Sequence, residues 1–284
     1  MAALTRPTLR PTAPPLDRPR LDLAGEPLRS ALNGVIAGCE PLGGVERYVE
    51  ALKLKAQLYA DAFAGGASRL ERQAFLQLCA FMPTVRRRVA IYLDEEGFLA
   101  MREGLTRLID GDAPTCDARI ASFCARYPQD KEHRFVRDIA AEVLHNLRTE
   151  QYPLMMRWVW DARSNNGVLR EIWHRASDSA PIDVPDSYAT FLMLREELSQ
   201  YLTENGVFRD VLFYVDLLTA QVYADYISSQ GGAYLRTDFT AAEDPMLHTR
   251  RMLGLDGVRP GSNRTRLKAI DGEAFVIEDV KLLS

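Results

Sequence analysis

Apolar residues recur at helical spacing along most of this chain. Between residues 45 and 63 they follow one another three or four positions apart, as on one face of an amphipathic helix. The same spacing predicts further helices over 27–39, 68–81, 84–110, 115–127, 131–150, 152–160, 168–174, 188–204 and 207–229. Strands and helices do not alternate. We therefore expect a mainly α protein, with a multi-helix, bundle-like single domain over residues 27–265.

The helical pattern is lost at both ends of the chain. Residues 1–26 contain five prolines and four arginines. Proline lacks an amide hydrogen and fixes φ, so this basic stretch is neither helix nor strand. We predict a disordered Pro/Arg-rich arm there, with an extended arm along a partner's surface as the alternative. At the other end, Asp271-Gly272 predicts a small C-terminal β-hairpin over 266–284 that packs on the helices.

Composition is that of an ordinary globular protein. The 284 residues are 47% hydrophobic and 26% charged, so a core can form without disulfides or metals. A formal net charge of −4 gives no overall attraction to nucleic acid or anionic lipid. We find no run of eighteen apolar residues and no secretory segment, so we expect neither a transmembrane helix nor a signal peptide.

The cysteines and the short motifs narrow the chemistry further. Cys39, Cys79, Cys116 and Cys124 have no zinc or iron–sulfur spacing, so reduced and mostly buried thiols are expected. Reduced thiols without a secretory segment predict a cytoplasmic protein. The sequence lacks Gly-x-Gly-x-x-Gly, a Walker loop and Gly-x-Ser-x-Gly, so nucleotide and acyl-transfer chemistry on their usual scaffolds is unsupported.

A basic triplet, Arg86, Arg87 and Arg88, falls in the first turn of the helix predicted over 84–110. Cations there oppose the helix macrodipole at a cost of about 0.3–1 kcal/mol each when exposed. Cations at this unfavourable helix position indicate a functional role. An anionic partner or a facing acidic helix would balance their charge. The structural alternative is an ion pair within the chain, with a carboxylate such as Asp94 or Glu95.

All three tryptophans, Trp158, Trp160 and Trp173, fall within sixteen residues. The helix predicted over 152–160 is apolar nearly all round, which indicates burial on most sides or an interface. Tryptophan, methionine and arginine are enriched at the centres of protein interfaces. The tryptophans are therefore candidates for a partner surface, with a place in the core as the alternative.

Glu142 and His145 form a Glu-x-x-His motif opposite the apolar stripe of the helix predicted over 131–150. This is the ligand motif of di-iron carboxylate bundles. A second copy, Glu171 and His174, does not follow the first in the chain order of ligands that a four-helix di-metal site requires. Another layout joins Glu142 and His145 to Asp244 and His248.

That second layout resembles the ligand pattern of heme-oxygenase-like di-iron oxidases, with Glu103 as one candidate for the remaining carboxylate. The resemblance implies an iron or manganese site. The alternative is that Glu142 and His145 lie on a polar face, towards water or an arginine.

Asp216 lies in the middle of the most hydrophobic predicted helix, 207–229, which we expect at the centre of the body. A carboxylate buried there needs an arginine, several donors or a metal. Arg157 and Arg170 are the first partners expected, in a structural ion pair.

Three functions are compatible with these features. The leading hypothesis is a non-catalytic helical accessory or adaptor subunit that acts through protein–protein contacts and needs no cofactor. Its docking elements would be the basic arm, Arg86–Arg88 and the tryptophans. The alternative is a metal-dependent helical oxidase, and the third is local nucleic-acid contact through the basic triplet. Whether the protein is an enzyme stays open.

Overall fold

The computed structural model describes residues 21–174, 180–231, 244–257, 264–268 and 274–276. Within these residues the protein is mainly α, as predicted. The helices are α1 Gly25–Cys39, α2 Val45–Ala62, α3 Arg72–Ala80, α4 Glu95–Asp110, α5 Cys116–Cys124, α6 Phe135–Leu147, α7 Val168–Glu171, α8 Tyr188–Glu204, α9 Val211–Gly231 and α10 Leu247–Met252. Short 3₁₀ turns cover Glu40–Leu42, Ala67–Arg69 and Val89–Tyr92.

Helix α9 is the central helix. It contacts α1, α2, α7, α8 and α10, as its apolar sequence predicts. It begins at Val211 rather than at residue 207 because the backbone leaves the right-handed region just before it. Gly206 has a φ of 89° and Asp210 a φ of 54°. Helix α6 lies against α2, α4 and α5, and one continuous apolar core joins both groups of helices.

The long helix predicted over 84–110 is shorter in the structure. Helix α4 begins at Glu95, where the Asp94 carboxylate caps it by accepting the amide of Gly97 at 2.7 Å. The residues from Pro83 to Arg88 form turns instead. The basic triplet therefore precedes the helix. An ion pair within the chain does form at Arg86, but its carboxylate is Asp256 rather than Asp94 or Glu95.

Arg86 makes a buried bidentate ion pair with Asp256, at 2.8 and 3.0 Å. The pair joins the turn before α4 to the segment 253–257, which follows α10. Gly254 fits this junction because its φ is 74° and a Cβ there would collide with the carbonyl oxygen of Phe81. The burial of Arg86 corrects the expectation that the whole triplet faces a partner.

The segment 152–160, predicted as a helix, is extended and turned instead. Its backbone bonds to the next short helix, with the carbonyl of Trp158 accepting from the amide of Val168 at 3.0 Å. Trp160 is fully buried and donates to the carbonyl of Val184 at 3.0 Å. Trp158 is also buried and Trp173 is half-buried against the core. The tryptophans pack the core, which corrects the expectation of a Trp-rich docking surface.

The chain ends are described in part. Residues 1–20 of the predicted arm lie outside the described residues. Residues 22–24 pair with the chain near Trp173, with the amide of Ala24 donating to the carbonyl of Ile172 at 2.7 Å. The strands β1 Arg264–Lys268 and β2 Ala274–Val276 are antiparallel. The predicted turn between them, at Asp271 and Gly272, lies outside the described residues, so the complete hairpin stays a prediction.

No described helix combines the length and the apolar character needed to cross a bilayer.

The buried position of Trp160 gives a stability prediction. The Trp160→Phe variant loses the bond to Val184 and leaves a cavity, so its free energy of unfolding should fall by about 1–3 kcal/mol. Trp173→Phe, at a half-buried position, should have a smaller effect. Urea denaturation followed by circular dichroism measures both. A Trp160→Phe protein as stable as the wild type would contradict the core assignment.

Candidate functional site

Helix α6 buries a row of ionisable side chains. Asp138 and Glu142 are each 1% exposed and His145 is 6% exposed. Their spacing of four and then three residues places them on one face of the helix. Each of them pairs with a different part of the chain. The predicted polar face therefore lies inside the protein, which corrects the expectation that it faces water.

Glu142 pairs with Lys55 of α2. Its Oε2 accepts from the Lys55 Nζ and from the Asn146 side-chain amide, both at 2.9 Å. The same Nζ donates to the carbonyl of Leu253, also at 2.9 Å. The cation thus ties α2 and α6 to the segment after α10.

His145 pairs with Asp216 of α9, at 3.0 Å from Nε2 to Oδ2, and its Nδ1 lies 2.9 Å from the carbonyl of Tyr152. Burial alone would lower the pKa of His145, but the carboxylate of Asp216 and the two hydrogen bonds outweigh it, so the pKa is raised. A doubly protonated imidazole can donate to both oxygens. The expected partners of Asp216, Arg157 and Arg170, are replaced by a histidine.

Asp138 pairs with Arg157 of the segment 152–160. The Arg157 Nε donates to Oδ1 at 3.1 Å and Nη2 donates to Oδ2 at 2.7 Å. This bidentate geometry fixes the plane of the guanidinium.

The predicted metal ligands do not form one set. Glu142 and His145 are engaged as above, and Asp244 pairs with Arg250. Glu103 is exposed and binds Arg107 and Arg126. Among the described residues, which include His248, no three His, Cys, Asp or Glu side chains are grouped so as to hold a metal ion. These residues do not fit the iron or manganese site suggested by the Glu-x-x-His motif.

The cysteines are free thiols. Burial raises the pKa of Cys39 and Cys116 to about 12 and that of Cys124 to about 11, and it raises the pKa of Cys79 as well. Thiols with such pKa values stay protonated at neutral pH, so they are poor nucleophiles.

A cationic cleft of about 440 Å³ lies beside this row of ion pairs. Five of its lining side chains are cationic, and none is a carboxylate. The lining residues are Pro83, Thr84, Arg87, Arg88, Lys131, Arg134 and Arg157. Such a concentration of one sign attracts an anion.

Two walls of the cationic cleft come from distant parts of the chain. One is the turn before α4, held by the buried pair of Arg86 with Asp256. The other is the loop that leads into α6. Arg88 joins them, because its Nη1 lies 3.5 Å from the carbonyls of Lys131 and Glu132.

The cations of this cleft differ in how they are held. Arg87, Lys131 and Arg134 have side chains without a hydrogen bond or ion pair to any described residue, whereas Arg157 is held by Asp138. Arg134 is the N-cap residue of α6, and no side chain caps that helix end. The sequence indicated Arg87 and Arg88 but missed the other three cations, whose proximity depends on the fold.

A second cleft of about 220 Å³ adjoins the first and shares Arg134 and Arg157 with it. Its carboxylates already have partners. Asp130 lies 2.7 Å from His133, and Asp186 lies 3.4 Å from Arg137. Asp161 accepts backbone amides of the loop that follows it. The adjoining cleft therefore carries a more balanced charge than the cationic cleft.

No protein-family model matches this chain, and no curated protein or solved structure shows significant similarity to it.

The pair of Lys55 with Glu142 gives a second prediction. Lys55→Met leaves a buried carboxylate without its cation, so the free energy of unfolding should fall by about 3–5 kcal/mol. The double variant Lys55→Met/Glu142→Leu should be more stable than the single variant, because no unpaired charge remains. Urea denaturation measures both, and Arg107→Ala, at an exposed pair, should change little. Additive losses in the double variant would rule out this coupling.

The raised pKa of His145 gives a third prediction. Its contribution to stability should be complete below the unfolded pKa of about 6.5 and should be lost as pH rises through the higher folded pKa. The stability difference between the wild type and His145→Gln should therefore shrink with rising pH above about 6.5. Denaturation at several pH values measures this, with His174→Gln as the exposed control. An imidazole that titrates below its ordinary value in an NMR experiment would refute it.

Proposed function

We propose that this protein is a helical accessory or adaptor protein that acts through contacts, and that the cationic cleft receives an acidic segment of a protein partner. The observation that supports this is the lining of the cleft, with five cationic side chains and no carboxylate. Arginine and lysine at such a surface bind carboxylates and phosphates through charge-assisted hydrogen bonds.

The support of the cationic cleft from within the core favours a binding role. Arg157 is oriented by Asp138, and the turn that carries Arg87 is anchored by the buried pair of Arg86 with Asp256. An arginine and a turn that are held in place before binding lose less conformational entropy when the partner arrives. The free thiols support a reducing compartment, so we propose a cytoplasmic location.

Local nucleic-acid contact is the second candidate, because phosphodiesters could bind the same cations. Nucleic-acid affinity comes from several phosphate contacts along a surface. Here the formal net charge is −4 and the cationic region is one compact cleft. These two features favour a short acidic segment over an extended polyanion.

Charge reversal tests this proposal. Wild-type protein should bind a fluorescein-labelled oligoglutamate peptide, with the affinity falling as salt concentration rises. The double variant Arg87→Glu/Arg134→Glu should bind at least about tenfold more weakly, because two attractions become repulsions. Fluorescence anisotropy measures the dissociation constants.

The matched control is Arg69→Glu/Arg72→Glu. Both arginines are exposed near the start of α3, and the charge change is the same as in the cleft variant. Equal losses in the two variants would mean that binding follows net charge rather than the cationic cleft. Failure of wild-type protein to bind the peptide would overturn the proposal.

A further inference from the structure

We infer that the anionic group recognised by the cationic cleft is a phosphate monoester on a phosphorylated side chain of the partner. This inference rests on the proposed function and specifies the ligand of the same site. The ligand chemistry follows from the number of unbalanced charges, from the fixed arginine at the cleft and from the neighbouring surface.

The charge of the cleft exceeds what one carboxylate can balance. Of the five cations in the lining, Arg157 is balanced by Asp138, which leaves 5 − 1 = 4 formal positive charges. A carboxylate carries one negative charge. A phosphate monoester carries about 1.5 to 2 negative charges at neutral pH and offers three acceptor oxygens. The monoester therefore relieves more of the repulsion between the cations.

The donors have the geometry of a phosphate site. Asp138 accepts one N–H each from Nε and Nη2 of Arg157, so both N–H groups of Nη1 and the second one of Nη2 remain for a ligand, in a plane that is already fixed. Arg134 adds a second guanidinium at the N-cap of α6, a helix of 13 residues whose N-terminal end has no side-chain cap. The macrodipole opposes a cation at the positive end of a helix, and a bound anion relieves that repulsion.

The surroundings favour an esterified phosphate on a peptide. The adjoining cleft shares Arg134 and Arg157, and its carboxylates are already partnered, so it can take the uncharged residues beside the phosphorylated one. A phosphodiester carries a single charge and needs a longer track of contacts. We therefore place a phosphopeptide, rather than nucleic acid or free phosphate, in the cationic cleft.

The test compares three fluorescein-labelled peptides of one glycine- and alanine-rich sequence, with phosphoserine, glutamate or serine at the centre. Fluorescence anisotropy at pH 7.5 should show the phosphoserine peptide binding at least about tenfold more tightly than the glutamate peptide. This preference should shrink at pH 5.5, where the monoester carries about one charge. Arg87→Ala and Lys131→Ala should each reduce phosphopeptide affinity several-fold, whereas the control Arg72→Ala should not.

Each other outcome overturns the inference. Equal affinity for the phosphoserine and glutamate peptides would mean that the cleft binds acidic segments without preferring a phosphate monoester. Inorganic phosphate competing as strongly as the phosphopeptide would indicate a free-anion site, and tighter binding of oligo(dT) would indicate nucleic acid. Failure of the phosphopeptide alone to bind at millimolar concentration would refute the phosphate while leaving the proposed function intact. If the oligoglutamate peptide also failed to bind, both the phosphate inference and the proposed function would be refuted.

Discussion

The packing of this protein depends on the charges that α6 buries. Asp138, Glu142 and His145 each find their partner on a different segment, namely 152–160, α2 and α9. Removing one partner of a buried pair typically costs about 3–5 kcal/mol, because the remaining charge stays away from water. An apolar contact tolerates a small slip between helices, whereas an ion pair at 3 Å does not. The row therefore fixes how these segments dock on α6.

The cationic cleft depends on the same buried charges. Asp138 is buried and binds Arg157 from the core side, so a carboxylate inside the protein orients one arginine of the cleft. The turn carrying Arg87 and Arg88 is fixed in a similar way by Arg86, whose partner is Asp256. A buried carboxylate that pairs with an arginine of the cleft lining thus supports a charged surface feature from inside the protein.

The sequence predicted the helical class and most of the long helices, because one buried face leaves a clear period, as over 45–63. It revealed the polar face of α6 but not its burial, since a solvated face and a face of buried ion pairs contain the same residue types. The prediction of a helix over 152–160 is wrong because a stretch that is apolar throughout has no hydrophobic periodicity that could distinguish a helix from an extended chain. The cationic cleft combines residues such as Arg87 and Arg134 that only the fold brings together.

The segment 253–257 determines the order in which these contacts can form. Arg86 and Asp256 are 170 residues apart, and Lys55 and the carbonyl of Leu253 are 198 apart. Contacts at such separation form late, because most of the chain must already be ordered to bring them together. On the ribosome, Lys55 and Arg86 emerge long before these partners. Lys55 meets Glu142 first, whereas Arg86 must stay hydrated until the segment 253–257 arrives with Asp256 and covers both cations.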